Sequence, residues 1–238
     1  MAERERRREG PRQAVFRDRP DATELDVLDP ERIVDVRREE LDGPRCYLLR
    51  RLLAPSECRR LIAAAEARGF DLAGLAIGDD DYRVNRQARD NLRVIVDDRA
   101  LAAGLWARAR AHIDARHEGA RVVGLNWRLR IYKYEVGQAF RPHYDVRTPL
   151  PGVGETRMSL VIYLNEGCDG GETTFYERKP RSARRGSGRR RKLDNNVRFA
   201  VRPEVGAALV FDHLLLHEGA EVRAGVKYAV RSDVIYSR

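Results

Sequence analysis

Helical periodicity in the first half of the chain and strand alternation in the second predict an α+β protein, mainly β, whose helices back one face of a β-sandwich or barrel. Two early segments repeat apolar residues at helical spacing. From Trp127 onward apolar and polar residues alternate, with Gly, Pro and Asn between the runs.

The elements follow in order. Tyr47 to Leu53 reads as a strand. Pro55-Ser56-Glu57 opens a helix, because proline has no N–H to waste in a first turn, and Leu61, Ala64 and Ala65 form its apolar face up to Gly69. Leu92 to Val96 is a short strand. Asp98 caps a second helix with the stripe Leu101, Leu105, Ala109 and Ile113. Gly170-Gly171 makes a tight turn before a strand from Glu172 to Phe175, and Asp212-His213 a turn between two strands.

Three later strands share a pattern. Leu129 and Ile131 oppose Arg128, Arg130, Tyr132 and Tyr134; Met158, Leu160, Ile162 and Leu164 oppose Arg157, Ser159, Val161 and Tyr163; Tyr228, Val230, Val234 and Tyr236 oppose Lys227, Ala229, Arg231 and Asp233. In many antiparallel sheets such polar faces look at water. If the helices cover the apolar faces, the polar faces turn inward instead, and an interior of Lys, Arg, Tyr and Ser calls for a charged ligand.

Composition bounds the rest. At 238 residues and 42% hydrophobic, the chain can build its own core. The expected organisation is a charged, aperiodic tail over 1–20 and one domain over 21–238, with its β core at about 125–238. No apolar run approaches the roughly 20 residues that span a bilayer. The start, MAERERRREGPRQ, lacks the apolar segment of a signal peptide, and Cys46, Cys58 and Cys168 show no Cys-x-x-Cys spacing, so a reducing cytoplasm is the expected location. The net charge of +9 is local: residues 178–192, RKPRSARRGSGRRRK, hold nine Lys/Arg and no acid, and should form a flexible loop.

His143-Tyr144-Asp145 followed by His217 is the most informative constellation. Residues i and i+2 of a strand share a face, so His143 and Asp145 can grip one cation while His217 completes the set. Two imidazoles and one carboxylate leave about half an octahedral shell open, which suits a non-haem Fe(II) centre better than a closed structural zinc site. His213 invites a rival pairing with His217 at i, i+4, but the Glu of His-Glu-x-x-His is absent.

Four stretches, LRIYKYEVGQAFRPHYD (129–145), SLVIYLNEGCDGGETTF (159–175), VGAALVF (205–211) and HEGAEVRAGVKY (217–228), resemble the prolyl 4-hydroxylase branch of the 2-oxoglutarate/Fe(II) dioxygenases. The resemblance implies a double-stranded β-helix (jelly roll) supported by the N-terminal helices. It implies metal ligands at His143, Asp145 and His217, a 2-oxoglutarate anchor at Lys227, and co-substrate contacts from Tyr134 and Tyr163; Arg231, further along the Lys227 strand face, is the reserve anchor. It further implies Fe(II), 2-oxoglutarate and O₂ as cofactor and co-substrates, with ascorbate as accessory reductant, and a connection at Thr148 to Thr156 suited to a lid over the substrate.

Two function classes stay open. One is a hydroxylase of an unactivated C–H, in a prolyl or other residue of a peptide or protein, or in a free amino acid or small metabolite, with an acidic substrate favoured by the basic loop. The other is a binding module that uses 178–192 on nucleic acid or an acidic partner. Asn91 and Arg93, within RQARDNLRV (86–94), are candidates for the substrate mouth.

Overall fold

The computed structural model describes residues 15–17, 24–32, 34–76, 81–177 and 196–237. Helix α1 spans Pro55–Arg68, with Pro55 in its first turn and the Glu57 carboxylate accepting the Ala54 N–H at 2.8 Å. It stops at Gly69, whose φ of 79° is costly for other residues. Helix α2 spans Arg99–Ala109, and Asp98 Oδ1 accepts the Leu101 N–H at 2.8 Å. The apolar stripe expected to run on through Ile113 outlasts the α-helix. Arg110–His112 tighten into a 3₁₀ turn, and Ile113 is extended yet still buried.

Two of the four sheets among the described residues face each other as the β core. In the larger, the neighbours run Arg37–Glu40, Cys46–Arg50, Ala208–Asp212, Gly154–Tyr163, Lys227–Tyr236, Arg128–Tyr134, Leu92–Asp97 and Asp71–Leu72, all antiparallel. The smaller runs Phe140–His143, His217–Gly219, Thr173–Tyr176 and Val197–Val201. Together they make the jelly roll of a double-stranded β-helix.

The alternation decides which side of the large sheet faces what. Leu129, Ile131, Met158, Leu160, Ile162, Val230 and Val234 pack with Leu61 and Ala65 of α1 and Leu101 and Leu105 of α2 in one buried cluster. Each fully buried Leu or Ile contributes about 1.5–3 kcal/mol. The other face therefore turns toward the small sheet. Register brings its polar residues side by side: Tyr134 lies opposite Lys227, Arg130 opposite Arg231, and Ser159 opposite Asp233.

Two connections bear on the cavity. Thr148 to Thr156, expected as a lid, is a hairpin: Pro149–Leu150 pairs with Gly154 and Glu155, and the Thr148 N–H donates to Thr156 Oγ1 at 2.9 Å. Pro151 and Gly152 form the hairpin's turn. At Gly170-Gly171 both φ values are positive, and a Cβ on Gly170 would sit 2.1 Å from the Glu221 carbonyl oxygen. Only glycine fits that approach. The basic segment 178–192 falls outside the described residues; the strand positions that flank it, Tyr176 and Val197, pair with each other.

Candidate metal centre

His143 ends one strand of the small sheet, His217 begins the next, and the two residues are register partners. Asp145 follows two residues after His143, its N–H held by the His213 carbonyl at 3.1 Å. The ligand atoms of His143, Asp145 and His217 all lie within 4.8 Å of one another. Asp145 Oδ1 is 3.7 Å from His143 Nε2, and Oδ2 is 3.6 Å from His217 Nε2.

Tautomers follow from the backbone. His143 Nδ1 lies 2.8 Å from the Arg141 carbonyl and His217 Nδ1 2.9 Å from the Leu215 carbonyl. A carbonyl only accepts, so each Nδ1 carries the proton and each Nε2 presents a lone pair toward Asp145. Burial, then the neighbouring His217 ring, pushes His143 down to about 3; burial likewise lowers His217. Both imidazoles are neutral near pH 7. Burial alone would raise Asp145, but Arg231, followed by His217 and His143, outweighs it and holds the carboxyl well below its usual range. Two neutral imidazoles and a carboxylate, preset by carbonyl hydrogen bonds, are the donor set of a mononuclear Fe(II) site with open positions.

The cavity beside this set is lined by both sheets. Tyr132, Tyr134, Val161, Lys227, Ala229 and Arg231 face Phe140, His143, Thr173, His217 and Gly219 across it. Lys227 is 3% exposed, and its Nζ donates to the Gly171 carbonyl at 2.6 Å. Among the described residues no carboxylate lies within ion-pair distance of Nζ. Burial pushes its pKa down to about 8. The ammonium sits 5.1 Å from the Tyr134 ring centre and 5.6 Å from that of Tyr163. A buried cation held only by a carbonyl and aromatic rings is a seat for an anion.

The structure divides the other expected contacts. Tyr134 lines the cavity, and burial keeps its hydroxyl protonated as a donor. Tyr163 is fully buried and gives its hydroxyl to Thr173 Oγ1 at 2.8 Å, so Thr173, not Tyr163, presents a hydroxyl to the cavity. A phenol without access to solvent needs a partner, and Thr173 supplies it. Arg231 lines the cavity too, but its guanidinium is held by carboxylates: Nη1 is 2.5 Å from Asp145 Oδ1 and Nη2 2.8 Å from Asp233 Oδ1.

Sequence reasoning missed the support around Asp145. Ser159 Oγ donates to Asp145 Oδ2 at 2.5 Å, and His213, wholly buried, has Nε2 3.3 Å from Asp233 Oδ1. Ser159, Arg231 and Asp233 do share the predicted polar face, and that was the available signal. Phe140 stacks on the His143 ring with centroids 3.5 Å apart. A second grouping, His117, Glu118 and Asp212, could also hold a cation, but Glu118 already pairs with Arg147 and Arg157.

This arrangement agrees with what the chain is similar to. Residues 129–232 match the model of the 2OG-Fe(II) oxygenase superfamily, and every residue of the His143, Asp145, His217 and Lys227 set lies inside that range. Across 195 residues the chain is 26% identical to probable prolyl 4-hydroxylase 6 of Arabidopsis thaliana, covering 80% of this chain and 64% of the relative. Over 84 residues it is 36% identical to probable prolyl 4-hydroxylase 11 of the same plant, covering 35% of this chain and 24% of the relative. The chain thus spans less than two thirds of either plant protein. The fold is that of the viral collagen prolyl hydroxylase of Paramecium Bursaria Chlorella virus-1, solved as a 2OG complex (TM-score 0.56, 17% identity, 83% of this chain and 98% of that one). It is also that of a Trichoplax adhaerens prolyl hydroxylase in complex with a hypoxia inducible factor peptide fragment (TM-score 0.58, 16% identity, 82% and 85%).

Proposed function

We propose that the chain is a 2-oxoglutarate- and Fe(II)-dependent dioxygenase that hydroxylates an unactivated C–H in a residue of a peptide or protein, with proline as the first candidate. One observation carries this: the open side of the His143, Asp145, His217 set faces a cavity whose far wall holds the buried Lys227 ammonium. The prolyl hydroxylase names of the plant relatives support the choice of proline.

In this reading His143, Asp145 and His217 hold the iron. Bound Fe(II), with 2-oxoglutarate and O₂, supplies the oxidising power that inserts one oxygen atom into a C–H bond while the 2-oxo acid leaves as succinate and CO₂. The chain's own groups do the positioning. Lys227 takes the distal carboxylate, and the Tyr134 and Thr173 hydroxyls flank it. Phe140, Val161 and Phe211 exclude water from the cavity. Arg231 and Ser159 fix the Asp145 carboxylate from behind. Outside, the half-exposed Tyr144 and the exposed Val146 offer apolar contact to a substrate at the mouth. The cysteines are unpaired, which supports a reducing, cytoplasmic setting.

The test is an untargeted mass-spectrometric search for +16 Da products, with proteome and metabolite extracts supplied alongside Fe(II), ascorbate and 2-oxoglutarate. Products on prolyl residues bear the proposal out. Products confined to free metabolites would replace its substrate half, and no product with no succinate would remove it.

A further inference from the structure

Among the described residues, the mouth outside the iron site carries more guanidinium groups than carboxylates. Arg89, Arg93, Arg130, Arg141 and Arg231 line it, against the carboxylates of Asp145 and Asp233 among the described residues. Asp145 belongs to the metal set. Asp233 is shared, accepting from Arg130 Nη1 at 3.1 Å and from Arg231 Nη2 at 2.8 Å.

The arginines are built into the wall. Arg93, Tyr132 and Arg130 project from neighbouring strands onto the inner face: Tyr132 lies opposite Arg93, and Arg130 opposite Arg231. Two guanidinium groups facing each other across a sheet are destabilising unless an anion joins them, and the single Asp233 carboxylate serves both. Arg89 is 5% exposed, its Nε and Nη2 both on the neutral amide oxygen of Asn91, at 3.0 and 2.9 Å. Its guanidinium lies 4.0 Å from the Phe140 ring centre, and Phe140 in turn stacks on His143. The charge is thus one ring's thickness from a metal ligand. Tyr132 feels the same field: burial would raise its phenol, yet Arg89, Arg231, Arg130 and Arg93 together lower it.

We propose that this mouth is an anion subsite: the molecule hydroxylated carries a carboxylate or similar oxyanion close to its reacting carbon, received by Arg89 and Arg130 with the Tyr132 hydroxyl. This rests on the oxygenase reading above. The anion is either a free terminal carboxylate or an acidic side chain beside the target residue. Both present a planar oxyanion to forked donors.

The experiment separates these sources. Protein loaded with Fe(II) and 2-oxoglutarate, without O₂, is titrated calorimetrically at constant ionic strength with two matched probe pairs. Acetyl-proline against acetyl-proline amide tests a terminal carboxylate; Ac-Glu-Pro-Gly-NH₂ against Ac-Gln-Pro-Gly-NH₂ tests an acidic neighbour. At least one acidic member should bind about tenfold or more tighter than its neutral twin, the scale of one charge-assisted hydrogen bond. Tyr132→Phe should cut that preference several-fold, and Arg89→Met should abolish it while Arg89→Lys restores part. Equal or undetectable binding of acidic and neutral members by the loaded protein overturns the subsite, as does a preference that survives Arg89→Met and Tyr132→Phe. Failure to load Fe(II) and 2-oxoglutarate at all overturns the oxygenase reading first, and this proposal with it.

Discussion

Arg231 and Asp145 meet at the edge of the cavity, with Nη1 2.5 Å from Oδ1. That contact separates two arginine roles the strand pattern left open, because a guanidinium already shared between Asp145 and Asp233 has little left for a co-substrate. Lys227 has no such commitment.

Exchanging each for alanine should therefore produce different defects. Lys227→Ala is expected to raise the 2-oxoglutarate requirement about tenfold or more with iron affinity kept, since a charged hydrogen bond is worth roughly 1.5–3 kcal/mol. Arg231→Ala should instead weaken Fe(II) binding by about 10–100-fold, the usual effect of removing the partner that orients a ligand. Iron titrations and 2-oxoglutarate saturation curves on both variants read this out. The reverse assignment of defects would make Arg231 the anchor.

The depressed Lys227 pKa predicts how 2-oxoglutarate affinity depends on pH. The free ammonium loses its proton above about pH 8, whereas a bound carboxylate needs it charged. Affinity should thus be flat below pH 8 and fall by up to about tenfold per unit above it, with proton uptake on binding. Calorimetry near pH 9 in two buffers of different ionisation enthalpy measures that uptake. Its absence would mean that Lys227 stays charged in the empty site.

Metal-free stability should decline in acid. His143 is held near 3 in the fold but titrates near its ordinary 6.5 when unfolded. Between those values the unfolded chain binds the extra proton, so stability rises with pH by up to about 1.4 kcal/mol per unit for this residue, is fully present above pH 6.5 and is lost toward pH 3. Denaturant melts between pH 4 and 7 should show that slope, and His143→Phe should reduce it to the part left by His217, which burial also lowers.

Away from the cavity, Glu57 ties three segments together. Fully buried, it accepts from Ala54, from Asp29 and from both terminal nitrogens of Arg108. Glu57→Ala strands the Arg108 guanidinium and should cost about 3–5 kcal/mol. A loss below 1 kcal/mol by urea unfolding would show that water replaces the carboxylate.

How much of this was legible in the chain follows from how local each signal is. His143, Asp145, His217 and Lys227 could be read because their types and spacing carry the family resemblance; the strand itself ends at His143, so Asp145 reaches the site from the segment just after it. The inward polar face of Arg130, Ser159, Lys227 and Arg231 followed from alternation, once the helices were assigned to the other side. What alternation leaves out is cross-strand register. Nothing in the order of residues says that Tyr163 meets Thr173, that Ser159 reaches Asp145, or that Arg231 is held by Asp145 and Asp233. The hairpin at Thr148 to Thr156 was missed for a related reason, since Pro and Gly mark a turn without saying whether its arms will pair.

The central claim is that His143, Asp145 and His217 form an iron site that consumes 2-oxoglutarate. Measuring bound Fe(II) and succinate production together, for the native chain and for Asp145→Ala, tests it most directly. The native chain should bind one Fe(II) and convert 2-oxoglutarate to succinate, and Asp145→Ala should lose both. Succinate formation undiminished in Asp145→Ala would contradict the assignment.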